Sequence, residues 1–315
     1  MTEEMEQRPW EHLESIIEKG DGAELRQYID ELPADEVARA VSRLSAEDQI
    51  GIVNILDSED SAELMEQIPN SLAVDLLSQV SPDDAAEVLN RMQSNDRADL
   101  LAEFDDDEAE AILEAMLPEA ATNARLLSSY PPEVAGGLMI TEYLWHYETA
   151  VVDDVIRDFQ ENAEIYSDYD VQYTYIVNAE MMLIGVIRLR DLLLSPRQRK
   201  IKDIMIRNPL YVQDDAPLNE LGLFFDDHEL MGAPVVDADG RLIGIVRRED
   251  VDDALIDRSD SDYLKSQGIV GGEELRSMPI WRRSSRRLSW LSINIVLNML
   301  AASVIAFYQD TLSAV

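Results

Sequence analysis

Two stretches of this chain match each other, and that internal repeat limits the possible fold more than any other feature. LIGVIRLRDLLL, from Leu183, aligns with LIGIVRREDVDD, from Leu242, at an offset of 59, pairing Gly185 with Gly244, Arg188 with Arg247 and Asp191 with Asp250. Upstream, LMITEYLWHYETAVVDDVIRDF from Leu138 matches IMIRNPLYVQDDAPLNELGLFF from Ile204 at an offset of 66, with Met139 over Met205, Ala150 over Ala216 and Phe159 over Phe225. The difference of seven residues reads as an insertion in the first copy, around NAEIYSDYD. Each copy predicts strand, helix, strand, tight turn, strand, helix, and Gly240 in DADGR suits a positive φ. Neither copy buries a sheet face alone, so the two should pack as a pseudo-symmetric pair.

Ahead of the repeat, from about Asp21 to Leu127, strand alternation is absent. A shorter phrase recurs instead, in which a cap-like residue precedes an acidic turn and an apolar helix, with starts near Pro33, Ser45, Ser58, Pro69, Ser81, Ser94 and Asp105. In SPDDAAEVLNRM, Ser81 caps, Pro82 suits the first helical position, and Asp83 and Asp84 face the positive end of the helix dipole. Ala86, Val88, Leu89 and Met92 supply the apolar stripe. A spacing of about a dozen residues holds one short helix and its turn, which predicts an α-solenoid-like stack of short helices.

Charge bounds the partners. The 64 Asp and Glu oppose 26 Lys and Arg, a formal net charge of -38, which repels phosphate backbones and excludes nucleic acid as a partner. Dense carboxylates instead suit hard divalent cations. An acid-rich surface whose only lysines are Lys19, Lys200, Lys202 and Lys265 also fits a solubility adaptation to a salty cytoplasm. With no Cys, disulfides and thiolate metal sites are excluded. His12, His146 and His228 are scattered without zinc spacing and read as surface or packing residues. No phosphate-cradling glycine loop, nucleophile elbow or zinc signature is present, so the chain does not read as an enzyme.

The N-terminus has no secretory signal. Near the C-terminus, Arg282, Arg283, Arg286 and Arg287 precede an apolar run from Trp290 to Tyr308, long enough to span about 28 Å as a helix. The positive-inside rule then leaves everything upstream in the cytoplasm, at the cell inner membrane. Ser292, Asn294 and Asn298 in that run argue for partner helices.

The repeat resembles a tandem of CBS modules. The whole order, an acidic helical domain, EVAGGLM, a CBS pair including PVVDADGRLIGIV, an acidic linker and a basic entry to a membrane helix, resembles the cytosolic half of MgtE-type magnesium transporters. The expected fold class is therefore α plus α/β, multidomain. It comprises a helical N domain (1–132), CBS repeats at 133–200 and 201–258 of βαββα form, a linker helix (259–289), one transmembrane helix (290–308) and a tail (309–315).

The resemblance implies a homodimer joined through its CBS pairs, in which magnesium bridges carboxylates and closes a pore. The family's pore has five spans, so the remaining four are expected outside this chain or lost from it. The alternative is a membrane-tethered CBS regulatory protein without transport activity.

The family pattern also implies the metal ligands: Asp83 and Glu87 in the N domain, Asp226 (through its backbone) and Glu229 in the second CBS copy, then Asp250, and Asp262 on the linker. Arg258 and Ser261 stand where the family has acids. Adenosine nucleotide is not expected, because the Ser or Thr that nucleotide-binding CBS pairs carry three residues before the ribose-holding Asp is Arg188 and Arg247 here.

Overall fold

The computed structural model describes residues 8–166, 169 and 172–266. Ten helices come first: α1 (Pro9–Lys19), α2 (Gly22–Glu31), α3 (Ala34–Val41), α4 (Ala46–Ile55), α5 (Ser58–Gln67), α6 (Asn70–Leu77), α7 (Pro82–Leu89), α8 (Ser94–Leu101), α9 (Asp106–Ala115) and α10 (Pro118–Leu127). From α3 onward the N-caps are Pro33, Ser45, Asp57, Pro69, Ser81, Gln93, Asp105 and Leu117, one every 12 residues. The starts expected at Ser58 and Ser94 move back by one residue, to Asp57 and Gln93.

A 12-residue period leaves room for two to three helical turns and a connection. The side chains of Ser45, Asp57 and Ser81 accept the amides of Asp48, Asp60 and Asp84, each cap stabilising its helix by about 1 kcal/mol. Alternate helices stack, α3 on α5, α5 on α7 and α7 on α9 in one row, α4 on α6, α6 on α8 and α8 on α10 in the other. No single short helix could bury its stripe alone, so the stack shares one core that runs from Leu13 to Ala124.

After the turn α11 (Ala135–Leu138) come β1 (Leu144–Tyr147), α12 (Val152–Glu161), α13 (Ala163–Tyr166), β2 (Tyr173–Val177), β3 (Leu183–Arg188) and α14 (Leu189–Leu193). The second copy follows as β4 (Ile206–Arg207), β5 (Val212–Gln213), α15 (Leu218–Asp227), β6 (Gly232–Val236), β7 (Leu242–Arg247) and α16 (Arg248–Ser266). The βαββα order is thus present twice, and α13 falls within the expected insertion. Strand β1 runs parallel to β2, which is antiparallel to β3; β5, β6 and β7 repeat that pattern.

The lead-in strands cross between copies. Ile206 and Arg207 of β4 pair with Val186 and Gly185 in the first copy's sheet, while Ile140 bridges Ile245 in the second copy's sheet. The methionines before them follow. A Cβ on Gly185 would stand 2.5 Å from Met205 Sδ, and one on Gly244 2.6 Å from Met139 Sδ, so each repeat's glycine admits the other repeat's methionine. This exchange is the physical content of the aligned Gly and Met pairs. Gly240 has φ 82°, and Asp237 Oδ1 accepts the amides of Asp239 and Arg241 around it.

Helix α16 continues from the second repeat to Ser266, so the start of the expected linker extends that helix without a break. Arg258 on it pairs with Glu133 at 3.4 Å. Among the described residues no helix is long and apolar enough to cross a membrane. The expected membrane helix at 290–308, its arginines and most of the linker lie outside the described residues.

Candidate functional site

The N domain meets the CBS pair through α8, α10 and the residues just after α10. Helix α8 departs from its neighbours by burying polar residues, Ser94, Asn95 and Arg97. Burying them costs desolvation unless partners are found. Ser94 and Arg97 find theirs partly just after α11, whereas the buried Asn95 Oδ1 has no hydrogen-bond partner among the described residues. Ser94 Oγ donates to Glu142 Oε2 at 2.6 Å and accepts the Thr141 amide at 2.9 Å. Arg97 lies 3.8 Å from Glu142 and donates to the Met92 carbonyl at 3.2 Å. Asn123 donates to Thr141 Oγ1 at 3.2 Å, and the Tyr130 hydroxyl donates to Asp214 at 3.0 Å. Beneath these bonds Ala98 and Leu127 share a core with Met139, Val235, Val246 and Val251.

At the edge of this seam acidic groups from both sides approach one another. From the N domain come Glu66, which accepts the Gln93 amide at 3.0 Å, and Asp96 in the first turn of α8. From the second repeat comes Asp250, in the first turn of α16. Burial, then the negative charges of Glu66, Asp250 and Asp99, push the Asp96 carboxyl up to about 7 against the opposing pull of Arg247. Burial raises Glu66 as well, opposed by its bond from Gln93 and by the charge of Arg247.

Arg247 ends β7 and reaches Asp250 one turn into α16, with Nε donating to Oδ2 at 2.8 Å and Nη2 to Oδ1 at 2.6 Å. Its remaining nitrogen lies 3.1 Å from Glu249. Burial would lower this guanidinium; the bond to Asp250 and the charges of Asp250, Glu249 and Asp96 outweigh it and hold the group more firmly charged. The next residue, Arg248, donates to the carbonyls of Phe225, His228 (2.7 Å) and Leu230 (3.0 Å) at the end of α15.

The expected ligands fall at separate places. Asp83 and Glu87 are exposed on α7, Asp226 and Glu229 are exposed around the end of α15, and Asp250 is half-buried under Arg247. Asp262 is exposed on α16, twelve residues past Asp250, about 18 Å along a helix axis. Among the described residues no three His, Cys, Asp or Glu side chains converge closely enough to hold a metal ion. Asp250 is the expected ligand that faces acids of the other domain. Asp96, which feels its charge, and Glu66 beside Asp96 were not among the expected ligands. Their sequence signal is the substitution of buried polar residues into one unit of a regular acidic repeat, SNDRADLL.

Of the histidines, His12 packs edge-on against Tyr28, His228 stacks on Phe224, and His146 lies 3.6 Å from Asp158. A cleft between the repeats is lined by Tyr143, Gln172, Tyr173, Tyr175, Met231 and Arg247, so the same guanidinium borders both the cleft and the seam.

Comparison with known proteins covers both halves. Residues 32–133 match the family described as the MgtE intracellular N domain, and residues 201–257 match the CBS domain. The chain is 27% identical over 204 residues to the magnesium transporter MgtE of Bacillus subtilis, which covers 64% of this chain and 44% of that protein. It is 30% identical over 202 residues to the magnesium transporter MgtE of Thermus thermophilus, covering 63% and 44%. The match thus spans under half the length of these curated relatives. A solved structure described as the soluble part of a magnesium transporter superposes with TM-score 0.69 at 25% identity, covering 80% of this chain and 98% of that one. Another, the cytosolic domain of the Mg2+ channel MgtE in complex with ATP, superposes with TM-score 0.54 at 26% identity, covering 77% and 98%. That bound ATP withdraws support from the expectation that a CBS pair of this kind takes no nucleotide.

Proposed function

We propose that this chain, which carries the cytosolic portion of an MgtE-type protein, senses magnesium at the seam between its N domain and second CBS repeat and gates an ion path accordingly. The observation that carries the reading is that Asp96 of the N domain feels the negative charges of both Glu66 and, from the second repeat, Asp250. Like charges brought together out of water repel, and a divalent ion between them turns repulsion into attraction. Ion concentration then sets the balance between docked and undocked states. Magnesium keeps several waters, so it can bridge carboxylates that do not converge as a tight cage.

Asp83, Glu87, Asp226, Glu229, Asp250 and Asp262 remain the proposed ligands, in loose, water-mediated sites completed on docking or by a second subunit. A homodimer through the CBS pairs is supported by Leu193, which ends α14, and Leu194 just after it, 63% and 78% exposed and left without cover within one subunit. The test is limited proteolysis and small-angle scattering across a magnesium titration. Compaction should saturate with magnesium, and Asp250→Asn should shift its midpoint. Identical cleavage and scattering at every magnesium concentration would sink the sensor reading.

The cleft supports a second reading, an adenine nucleotide held beside the tyrosines with Arg247 toward its phosphates. ATP titration by calorimetry decides it, with no heat above dilution as the outcome against.

A further inference from the structure

The motif EVAGGLM joins the two domains, and neither the seam nor the CBS fold accounts for its paired glycines. A Cβ on Gly136 would stand 2.5 Å from Cδ1 of Tyr130, and one on Gly137 would stand 2.2 Å from the carbonyl oxygen of Pro131. The glycines therefore let the chain that leaves α10 lie flat on α11. That approach brings the Tyr130 hydroxyl to Asp214, to which it donates at 3.0 Å.

The backbone hydrogen bonds divide the join in two. Up to Tyr130 the chain belongs to α10: the amides of Ser128, Ser129 and Tyr130 donate to the carbonyls of Ala124, Leu126 and Leu127. From Glu133 onward it belongs to the second repeat. The Glu133 carbonyl accepts the Leu218 amide at 2.9 Å, and the amides of Ala135 and Gly136 donate to Ala216 at 2.9 Å and Asp214 at 2.8 Å. Ile140 exchanges two bonds with Ile245, and Arg258 pairs with Glu133 at 3.4 Å. Between the two sets stand Pro131 and Pro132, both exposed, and among the described residues neither makes a backbone hydrogen bond. Each proline ring fixes its own φ and holds the residue before it extended, so Tyr130 and Pro131 keep little freedom. Rotation is left to the bonds around Pro132 and Glu133.

We propose that Pro131 and Pro132 form a stiff hinge about which the N domain leaves and rejoins the CBS pair as one body, and that Tyr130, seated on Gly136 and bonded to Asp214, latches this hinge in its docked setting. Tyr130 is a positioning residue: it fixes the direction in which α10, and α8 stacked on it, meet the second repeat. The single core from Leu13 to Ala124 keeps the N domain rigid as it turns. The bonds from Ser94 and Asn123 to Glu142 and Thr141 cross to the far side of the hinge, so they part when the domain leaves. The proposal rests on the reading of docked and undocked states, but not on the ion that drives them.

Two measurements on the full-length protein test it. Hydrogen exchange of α8, in magnesium chloride and in EDTA, reports docking, while β7 and α4 report that each domain stays folded. Because the chain has no cysteine, Asp106→Cys on α9 and Gln198→Cys after α14 provide spin-label sites for pulsed dipolar distance measurement. Labelled chain is diluted with excess unlabelled chain, so that a homodimer carries one labelled pair.

Tyr130→Phe should lose α8 protection about tenfold in magnesium chloride, as expected for one hydrogen bond to a charged group, with β7 unchanged. Gly136→Ala, which drives the ring off its seat, should lose more. Ser129→Ala, whose hydroxyl bonds to Leu126 within α10, should match the wild type. Tyr130→Phe with wild-type protection, or with β7 exposed alongside α8, overturns the latch. Should Gly136→Ala fail to fold, Tyr130→Phe, which keeps the ring, still decides it.

Ser94→Arg puts a long cation at a fully buried position and opens the seam without removing magnesium. In that background the native prolines should give a narrow distance distribution displaced from the docked one, and Pro131→Gly with Pro132→Gly a broad one. A distribution equally broad with the native prolines, or one that keeps the docked distance, overturns the hinge. A wild type whose α8 protection is the same in EDTA and in magnesium chloride removes the sensor instead. Latch and hinge are then still decided by Tyr130→Phe and the two glycine substitutions.

Discussion

The two repeats carry the same Arg-x-x-Asp sequence at the same point of the same fold, yet the residues do different things. In the second repeat Arg247 holds Asp250 by two short bonds in a half-buried corner. In the first repeat Asp191 instead lies 3.7 Å from its neighbour Arg190, with 76% of the arginine and 41% of the aspartate side chain in solvent. The difference comes from what lies above. The charge of Arg247 is felt by Glu66 and Asp96 of the N domain, and that of Asp250 by Asp96, so a pair that water would weaken becomes part of an interdomain seam. Motif and backbone specify the opportunity for an ion pair; burial by a third element decides whether it has consequences.

The same asymmetry extends to the glycine and methionine exchange, where the largest effect is expected. A Cβ on Gly244 would meet Met139, which is fully buried, and also stand 3.0 Å from the backbone oxygen of Ile140. A Cβ on Gly185 would meet only the side chain of Met205, which is half-buried and free to turn aside. Gly244→Ala should therefore cost about 3 kcal/mol and Gly185→Ala about 1 kcal/mol, the two ends of the usual range for overpacking. Urea unfolding measures both. Equal losses would mean that the repeats are mechanically equivalent and would break the comparison at its base.

A smaller contrast is expected at the ion pairs. Asp250→Asn takes from a half-buried guanidinium its doubly bonded carboxylate, leaving the more exposed Glu249 as its anion, and should destabilise the docked protein by about 2 kcal/mol. Asp191→Asn removes an exposed charge and should stay within about 0.5 kcal/mol of the wild type. The same unfolding curves supply the test, and a first-repeat loss as large as the second would show that the N domain is not what gives Arg247 and Asp250 their weight.

Much of this architecture was legible before the structure. The offsets of 59 and 66 paired Gly185 with Gly244 and Met139 with Met205, and those residues interlock across the pseudo-twofold. Gly240 took the positive φ its turn required, and the recurring caps marked the helix starts to within a residue. These features are local, or repeat at a fixed period, so a linear sequence displays them. The acidic seam is neither. Glu66 and Asp96 are 30 residues apart and Asp250 lies far beyond, brought near by the bond from the Gln93 amide, at the start of α8, to Glu66 on α5 and by domain docking. The chain also carries 64 acidic residues, so a functional carboxylate has no contrast against its background. What did stand out, and could have been read, was SNDRADLL: a unit of the helical repeat that puts Asn95 where an acid is usual and Arg97 where most other units carry a small residue.

The smallest expected effect concerns pH, and it too should separate the repeats. The docked Asp96 holds its proton up to about 7, mainly because of burial and then because of Glu66 and Asp250. An undocked, solvated aspartate releases its proton near 4. Between those values the docked state binds more protons than the undocked one, so docking weakens as pH rises through that window. It is strongest below about 4 and level above about 7. Hydrogen exchange of α8 between pH 5 and 8, corrected for intrinsic rates, should therefore show protection falling as pH increases. Asp96→Asn, which cannot ionise, should flatten the profile while α12 in the first repeat stays unchanged in both proteins. A profile that keeps its slope in Asp96→Asn would assign the proton to another group and detach the pH response from the seam over the second repeat.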